Sequence, residues 1–411
     1  MIKRVTYPKN SVSWLGLTEK SLKNECRRRF TRSISYQNKT ICSKLTDSST
    51  EYFDGSVSSL SEGQLYPCCI EAEMTVNELL LDEVKLARVY AKWSSTMDQE
   101  RARVERFFNS KNPSHVILVQ GYEPTSWFAR ELAITREIPL LSLENTALNH
   151  KLVWDSCSGI VVNRNAAKNY FWRYWDCVSE SEVLPWFREL EEKTAQYKSN
   201  EHTSPANMEC KLGRDKPIIL FIGQVFTDSS ILFGSGQWKS PLELISSALK
   251  EAIKLGAILV VKLHPKEASG RSPLVKQPYA KLTYRKMLSE PFLKGEIELG
   301  ENILVDHENC WNTYGLMQEA TCAVTMNSQA GLEAQVRGVP TIVCGHAFYD
   351  GLGFTCHAGN RQDLATKMAE ALSTGECSER TYRARLFAYI YFEKYCMEKS
   401  EASVVEKLLS I

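Results

Sequence analysis

Residues 217–265 read PIILFIGQVFTDSSILFGSGQWKSPLELISSALKEAIKLGAILVVKLHP, and their pattern decides the fold class. The apolar run Pro217–Ile222 predicts a buried strand, and the apolar residues of Pro241–Leu255 recur at helical spacing. A second apolar strand, Ala257–Leu263, comes directly afterwards and ends on a His-Pro pair. A strand, a helix and a strand in this order predict parallel pairing through a right-handed crossover.

The same alternation continues towards the C-terminus. Asn302–Val305, Cys322–Met326 and Thr341–Cys344 are short apolar runs that predict further strands. Trp311–Glu319 and Gln329–Arg337 have the pattern of the helices that would join them. This half of the chain therefore predicts an open parallel sheet of the Rossmann type.

A second α/β segment precedes the first one in the chain. The runs His115–Gln120 (HVILVQ), Pro139–Leu143 (PLLSL) and Ser158–Asn163 (SGIVVN) predict three strands, and Thr125–Arg136 predicts a helix between the first two. Strands that alternate with helices indicate parallel pairing here too. The chain is thus predicted to be α/β, with two Rossmann-like domains that face a cleft.

The polar stretch 194–216 carries two prolines and no sustained period, which is typical of an inter-domain linker. We therefore predict an N-terminal Rossmann-like domain over 1–205 and a C-terminal Rossmann-like domain over 206–378. The aromatic-rich segment 379–411 is predicted to be helical and to pack back on the N-terminal domain. Residues 1–70 have only weak periodicity.

The composition excludes several classes of protein. The 411 residues carry 50 Lys plus Arg and 49 Asp plus Glu, and this balance argues against a protein built to neutralise nucleic acid. No apolar run approaches the ~20 residues that span a bilayer, and the start, MIKRVTYPKNSVSW, lacks a signal-peptide core, so we expect a cytoplasmic protein. The 13 cysteines form no C-x-x-C pair, and no zinc-type spacing occurs among the seven histidines. We expect neither a metal site nor a cofactor.

Ligands of parallel α/β domains bind outside the carboxyl ends of the strands, so the residues that follow each predicted strand are the candidates. In the first domain the candidate is Glu144. In the second domain they are Gln224, Asp228, Ser229, Ser230, Lys262, His264, Pro265, Lys266, Asn327, Ser328, Gln329 and Glu333.

Each of these candidates also has a structural interpretation. Asn327 and Ser328 could simply cap the helix that follows, and Glu333 could be a solvated helix residue. His264 could be a structural histidine, although Lys262 and Lys266 beside it and Arg271 nearby favour a phosphate ligand. Asp228 could be a turn or N-cap residue, because Asp-Ser-Ser is good capping chemistry. Glu144 could be a helix-capping acid.

Five motifs, in order along the chain, resemble those of the capsule polysaccharide biosynthesis proteins, the bacterial β-Kdo transferases of capsule linkers and related O-antigen enzymes. The segment 223–231 resembles G-Q-V-x-x-D-x-S-I, 262–265 carries the HP motif, and 327–334 is similar to S-x-x-G-[FL]-E-A. The segment 345–355 is similar to G-x-P-F-Y-x-G-x-G-L-T, and 143–160 to L-E-D-G-F…D…G-I-Y-Y. Asn145 stands where the family has a second acid, and Lys266 replaces the usual acid after HP.

The resemblance implies a GT-B fold and a retaining glycosyltransferase that moves Kdo from CMP-β-Kdo to a surface glycan of the capsule or O-antigen type. It implies double displacement through a covalent adduct on Asp228, with His264 and the other second-domain candidates on the donor. Glu144, as the proton-handling group, and Asp155 would serve the acceptor. Two alternatives stay open, namely an inverting, sialyl-type CMP-sugar transferase of the same fold and a non-catalytic glycan or nucleotide binder.

Similar enzymes use lipid-linked acceptors, which implies peripheral contact with the inner membrane. The basic cluster Arg27–Arg29 and the aromatic C-terminal segment are candidates for that contact. A solvated charge run and a packed helix are the alternative interpretations of these two segments.

Overall fold

The computed structural model describes residues 5–6, 60–119, 121–156, 164–201, 216–268 and 281–411. The strands are β1 Val5–Thr6, β2 His115–Val119, β3 Leu140–Asn145, β4 Lys151–Asp155, β5 Ile218–Ile222, β6 Ile258–Lys262, β7 Ile303–Asp306, β8 Cys322–Thr325, β9 Thr341–Val343, β10 Cys356–His357 and β11 Met397–Glu398. The helices are α1 Glu62–Ala72, α2 Val76–Leu80, α3 Glu83–Lys111, α4 Pro124–Thr135, α5 Asn165–Tyr174, α6 Glu180–Glu201, α7 Ser229–Leu232, α8 Pro241–Lys254, α9 Leu282–Ser289, α10 Pro291–Leu299, α11 Thr313–Glu319, α12 Gln329–Gln335, α13 Arg361–Thr374, α14 Ser378–Tyr389 and α15 Glu401–Ser410. A 3₁₀ turn covers Pro265–Ala268, and a π-helical segment covers Ile390–Tyr395.

These elements form two compact units. The first combines the described residues up to Cys68 with Glu83–Ala166 and Tyr391–Ile411. The second combines Cys69–Asp82 with the described part of Ala167–Ile390. Helices between 167 and 201 thus belong to the second unit, whereas the sequence predicts a boundary at 205.

The second unit is built on a parallel sheet of six strands in the order β10-β9-β8-β5-β6-β7. Central strands β5, β6 and β8 are buried along their whole length, as expected where helices cover both faces of a parallel sheet. On one face Phe221 and Val261 pack with helix α8, and on the other Leu220 and Val260 pack against α11 and α12. The strands and helices predicted over 217–344 are confirmed, to within a few residues at their ends.

The sheet of the first unit is mixed. Strands β1, β2 and β3 are parallel, but β4 runs antiparallel to β3, and β11 runs antiparallel to β4. The predicted all-parallel pairing is therefore wrong at this edge, because the short turn after β3 returns the chain as a hairpin and leaves no room for a crossover helix. The strand predicted at Ser158–Asn163 lies outside the described residues.

The C-terminal segment completes the first unit. Val404, Val405 and Leu408 of α15 pack on Leu141 and Leu152 of the sheet, so burial of apolar side chains holds the segment in place. The segment 379–411 is largely helical, and the short strand β11 separates α14 and the π-helical segment from α15. The linker prediction is wrong at its start, because α6 continues to Glu201.

Candidate functional site

The loop after β5 presents Asp228 at the surface of the second unit. Asp228 has extended backbone angles, and its Oδ1 accepts hydrogen bonds from the backbone N of Ser230 at 2.9 Å and from Ser230 Oγ at 2.7 Å. The N-cap interpretation is thus realised in the geometry. Among the described residues Oδ2 accepts no hydrogen bond, and the side chain is exposed. A carboxylate with one bonded oxygen and one exposed oxygen can both cap a helix and react.

Gln224 connects this loop to the start of α12. Its Nε2 donates to Ser230 Oγ at 2.9 Å, and its Oε1 accepts from the backbone N of Asn327 at 3.2 Å. Because Ser230 Oγ itself donates to Asp228, four groups form one continuous hydrogen-bonded chain. The chain brings together four of the residues predicted from sequence, and two of them, Gln224 and Asn327, are 103 positions apart along the polypeptide.

Asn327 also holds the loop that follows α7. Its Nδ2 donates to the carbonyl of Ser230 at 2.7 Å and to the carbonyl of Gly234 at 3.1 Å. Its Oδ1 is buried and accepts no hydrogen bond from the described residues. The residue is only 7% exposed, so Asn327 mainly serves to hold the loop after β5 against the start of α12.

Ser328 is the N-cap of α12. Its Oγ accepts from Ala330 N at 3.3 Å, and its carbonyl accepts from the buried Tyr349 hydroxyl at 2.6 Å. Burial raises the pKa of Tyr349 well above its ordinary value, so this hydroxyl stays protonated and keeps donating. Gln329 follows, and its buried Nε2 has no partner among the described residues. Glu333, one turn further on, accepts from Tyr314 OH at 2.8 Å.

The histidine of the HP motif begins the turn after β6. Its Nδ1 accepts from the backbone N of Lys266 at 3.1 Å, and its carbonyl accepts from Glu267 N at 2.9 Å. With Nδ1 as an acceptor, a neutral His264 ring carries its proton on Nε2 and can donate from that atom. Pro265 is half-buried and opens the 3₁₀ turn, and the Lys266 side chain is exposed.

Lys262 is buried in the sheet. Its Nζ lies 2.5 Å from Asp306 Oδ2 at the end of the neighbouring strand β7, and it also donates to Asn309. Burial lowers the pKa of Lys262, and the Asp306 carboxylate opposes that shift. Its side chain is 4% exposed, so this ammonium cannot reach a phosphate without breaking a buried pair, unlike the exposed Lys266.

Glu267 is a residue that the sequence analysis missed. Its Oε1 accepts from Phe226 N at 3.0 Å and from Thr283 Oγ1 at 2.8 Å, and its Oε2 accepts from Thr283 N at 3.0 Å. Burial raises the pKa of this carboxyl. Glu267 thus ties the loop of Asp228 to the turn of His264. The family motif has an acid at the position of Lys266, and Glu267 follows one residue later in this chain. That neighbouring acid was the signal available in the sequence.

Two residues from the segment before α3 were also missed. Asn77 Nδ2 donates to the carbonyls of Gly236 at 3.0 Å and Trp238 at 2.8 Å, and the buried Thr75 hydroxyl donates to the carbonyl of Lys239. Thr75 also forms a capping box with Glu78 at the start of α2. These contacts hold residues 236–239 of the loop 234–239, whereas Asn327 holds its first residue, Gly234. No motif marks them, and only the tertiary structure places them there.

The glycine of the last motif sits against the same loop. A Cβ on Gly345 would lie 2.4 Å from the carbonyl oxygen of Gly234, closer than real Cβ contacts come. That carbonyl already accepts from Asn327 Nδ2 and from His346 N. Gly345 therefore allows the close approach of two backbones.

Further along this motif, Asp350 and His357 form a pair. Asp350 is 8% exposed, and its two oxygens contact His357 Nδ1 at 2.6 Å and Thr355 Oγ1 at 2.8 Å. The hydrogen bond to Asp350 raises the pKa of His357. His357 itself is about half exposed.

The two acids predicted for the acceptor lie in the first unit. Glu144 does not follow β3, as predicted, but lies within it and pairs with Val153, while Asp155 ends β4 and pairs with Ser142. Since residues opposite each other in a sheet share a face, Glu144 and Asp155 point to the same side, away from the α15 core. Asp155 is 4% exposed, and Glu144 is half-buried.

A cluster of polar and aromatic residues lies near Glu144, whose charge acts on Tyr122. Tyr122, in the turn after β2, is buried, and burial followed by the charges of Glu62 and Glu144 raises its pKa. The Arg130 guanidinium stacks over Trp127 at 3.9 Å from the ring centroid and lies 3.9 Å from Glu62. Sequence reasoning missed this cluster because its members come from three separate elements.

Over the described ranges, no group of three or more His, Cys, Asp or Glu residues is arranged to hold a metal ion. None of the described helices is long and apolar enough to cross a membrane. The aromatic residues that the C-terminal segment offers for membrane contact are core residues, because Phe387, Tyr391, Phe392 and Tyr395 are each less than 8% exposed. The basic cluster Arg27–Arg29 lies outside the described residues.

The fold defines an α/β protein whose second unit places its candidate site residues at the carboxyl ends of parallel strands, as in nucleotide-binding domains. The model of the capsule polysaccharide biosynthesis protein family matches residues 181–393, slightly more than half of the chain. The chain belongs to this family. The predicted resemblance is thereby confirmed.

Solved structures give similarities at low identity. A Thermosulfurimonas dismutans KpsC, described as a beta Kdo 2,4 transferase, is 20% identical, with 72% of this chain and 87% of that one covered and a TM-score of 0.47. The beta Kdo 2,7 transferase of KpsC from the same organism is 18% identical over 78% and 97%, with a TM-score of 0.43. A UDP-GlcNAc 2-epimerase from Neisseria meningitidis is 11% identical over 77% and 81%, with a TM-score of 0.37. No curated protein matches the sequence.

Proposed function

We propose that the protein is a retaining glycosyltransferase that transfers Kdo from CMP-β-Kdo to a surface-glycan acceptor of the capsule or O-antigen type. Membership of the capsule polysaccharide biosynthesis family supports this class of reaction. The observation that carries the mechanism is the hydrogen-bonded chain from Asn327 through Gln224 and Ser230 to Asp228. It gives the exposed carboxylate a defined orientation beside the other motif residues.

In the first step, Asp228 Oδ2 attacks the anomeric carbon of the sugar. The bond from that carbon to the phosphate oxygen breaks, and CMP leaves with the electron pair, so that the sugar becomes an ester of Asp228. In the second step, the acceptor hydroxyl attacks the same carbon from the opposite face, and Asp228 leaves as a carboxylate. Two inversions give net retention. The acceptor hydroxyl loses its proton, and we assign that proton to Glu144, with Asp155 beside it on the same sheet face.

His264 and Lys266 are the groups we assign to the leaving phosphate. A hydrogen bond from the His264 Nε2–H or the Lys266 ammonium to a phosphate oxygen is charge-assisted and contributes about 1.5–3 kcal/mol. Lys262 contributes to phosphate binding only indirectly, because its buried pair with Asp306 holds the end of β6, from which the turn of His264 begins. Ser229, Ser328, Gln329 and Glu333 complete the proposed donor side around the loop and the α12 start.

The experiment that tests the mechanism is incubation of the protein with CMP-Kdo in the absence of acceptor. Intact mass should increase by one Kdo residue, and peptide mapping should place the adduct on Asp228. The Asp228→Ala variant should form no adduct and lose transfer, whereas Asp98→Asn, which changes an exposed acid of α3, should behave as the wild type. Full retaining activity in Asp228→Ala, or an adduct on another residue, would rule the assignment out.

Two further measurements separate the alternatives. A product NMR spectrum distinguishes retention from inversion at the anomeric carbon. A thermal-shift screen of CMP-sugars identifies the donor, because a ligand at 100 times its Kd stabilises the folded state by about 2.7 kcal/mol. Activity should persist in EDTA, since the proposed step assigns the leaving phosphate to His264 and Lys266 and not to a metal ion. Donor binding without turnover would indicate a non-catalytic binder.

A further inference from the structure

Glu333 of α12 is held by a tyrosine of the neighbouring helix α11. The Tyr314 hydroxyl donates to Glu333 Oε2 at 2.8 Å, and both side chains are half-buried. Burial, followed by the charge of Glu333, raises the pKa of Tyr314, so this hydroxyl stays protonated and keeps donating. Glu333 is therefore not the solvated helix residue that the sequence left as an alternative.

Two contacts fix Tyr314 in turn. The Asn312 side chain caps α11 and accepts from Tyr314 N at 2.8 Å, which fixes the backbone at this residue. The Arg337 guanidinium lies 4.2 Å from the centroid of the Tyr314 ring, and Arg337 Nη1 donates to the carbonyl of Glu333 at 2.8 Å. Arg337 thus holds the tyrosine ring beside the residue that its hydroxyl contacts.

The pair lies on the side of the sheet that the proposed function gives to the donor. Helices α11 and α12 begin at the carboxyl ends of β7 and β8, the same edge at which β5 and β6 lead to Asp228 and His264. A carboxylate accepts hydrogen bonds and repels a phosphate, so beside a nucleotide Glu333 can contact only hydrogen-bond donors. The donors nearest to the phosphate of a nucleotide are the 2′- and 3′-hydroxyls of its ribose. A carboxylate has about four acceptor positions, so the bond from Tyr314 leaves capacity for a ligand hydroxyl.

We propose that Tyr314 is a positioning residue, which orients Glu333 towards the ribose diol of the donor and makes the protein selective for a ribonucleotide. The nucleotide is that of the proposed function, on which this role depends. A mobile glutamate side chain loses rotamer freedom when it binds a ligand, whereas Glu333 is already ordered by the Tyr314 hydroxyl. Tyr314 stands outside all five sequence motifs, so only the tertiary structure brings it to Glu333.

The test is calorimetric titration of the full-length protein with CMP and with 2′,3′-dideoxy-CMP, which lacks both ribose hydroxyls. The wild type should bind CMP about tenfold or more tightly than the dideoxy analogue. Tyr314→Phe keeps the ring and removes the hydroxyl. It should weaken CMP binding roughly threefold to tenfold and leave the affinity for the dideoxy analogue unchanged. Glu333→Ala should abolish the preference for CMP, and adding Tyr314→Phe to it should have no further effect, because the two residues act as one unit.

Tyr389→Phe is the matched control. The Tyr389 hydroxyl also contacts a glutamate, Glu182 Oε1 at 3.5 Å, but on helices outside the motifs, so this variant should keep the wild-type preference for CMP. A purely structural role of Tyr314 would weaken both nucleotides equally, and that result, or an unchanged preference in Tyr314→Phe, would overturn the positioning role alone. Equal binding of the two nucleotides by the wild type would also overturn it alone. If the wild type binds neither nucleotide, the proposed donor is wrong, and the role of Tyr314 falls with it.

Discussion

Ser230 donates both its backbone N–H and its hydroxyl to one oxygen of Asp228, Oδ1, at 2.9 and 2.7 Å. The other oxygen, Oδ2, makes no hydrogen bond with the described residues, and Asp228 as a residue is exposed. The same carboxylate therefore caps α7 and presents a nucleophilic atom. The two interpretations that the sequence left open are compatible, because they use different oxygens.

Replacing Ser230 by Ala should lower the rate of adduct formation on Asp228. The variant loses one hydrogen bond to a charged group, for which about 1.5–3 kcal/mol is typical, and it breaks the link to Gln224. A drop of roughly 10- to 100-fold follows if that bond orients the nucleophile. Stopped-flow or quenched measurement of CMP release would give the rate.

Ser229 provides the matched control for this experiment. It is the adjacent serine, and its hydroxyl makes no hydrogen bond with the described residues. Ser229→Ala should keep most of the rate at saturating CMP-Kdo, because the loss of a donor contact would raise KM without disturbing the Asp228 carboxylate. An equal loss in both variants would show that the Ser230 bond does not orient Asp228.

His264→Ala should weaken CMP binding. In the neutral ring the proton lies on Nε2, since Nδ1 accepts from Lys266 N, and the variant removes this donor. Calorimetric titration with CMP should give a Kd about tenfold or more above that of the wild type. His150→Ala, an exposed histidine of the first unit, should leave the Kd unchanged. An unchanged Kd in His264→Ala would remove this residue from the donor site.

Gly345→Ala should destabilise the second unit by about 1–3 kcal/mol. The added Cβ would lie 2.4 Å from the carbonyl oxygen of Gly234, which cannot move freely because Asn327 and His346 donate to it. Denaturant titration measures the effect. Gly295→Ala, in the middle of α10 with open space around it, should instead stabilise by about 0.5–1 kcal/mol. A neutral Gly345→Ala would contradict the close approach.

Asn77→Ala should weaken donor binding although the residue lies outside the family-matched region. It loses two hydrogen bonds to the loop 234–239, whose Gly234 carbonyl contacts Asn327. The expected signature is a raised KM for the CMP-sugar with a nearly unchanged kcat, because the loop positions the donor side and carries no reacting group. Asn169→Ala, an exposed residue of α5, is the control. A kcat loss at constant KM would assign Asn77 a different role.

His357 should titrate above the ordinary histidine range in an NMR pH titration. Its raised pKa comes from the hydrogen bond to Asp350, and Asp350→Asn should lower it. Because the pKa of His357 is higher in the folded state than in the unfolded state, protonation of His357 stabilises the folded protein. This stabilisation is complete below about pH 6.5 and disappears as pH rises through the folded-state pKa. The stability difference between wild type and Asp350→Asn should therefore shrink over that window. A His357 pKa that is the same in both proteins would exclude the pair.

Most elements of the second unit could be predicted from sequence because their signals are local. The runs PIILFI and AILVVKL are apolar without alternation, as in strands buried on both faces, and α8 has its apolar residues at helical spacing. The motif residues Gln224, Asp228 and Asn327 were also found from sequence, since they follow such strands directly. The structure brings them together as parallel strand ends require.

The first unit shows where local signals fail. Nothing in KLVWD distinguishes an antiparallel strand from a parallel one, and β11 pairs with β4 from more than 240 residues away. The direction of pairing depends on the length of the turn and on the packing of α15, and neither appears in a short window of sequence.

The sequence by itself determined the α/β class, the strands of the second unit and the candidate residues at their ends. These features depend on apolar runs and on helical spacing, which are properties of short stretches of neighbouring residues. Only the tertiary structure decided which side chains act together. It bound Lys262 to Asp306, joined Glu267 to the Asp228 loop, and brought Asn77 across 159 positions to Gly236. A polar side chain takes the partner that folding places within hydrogen-bond distance, and that distance is set by the packing of whole elements.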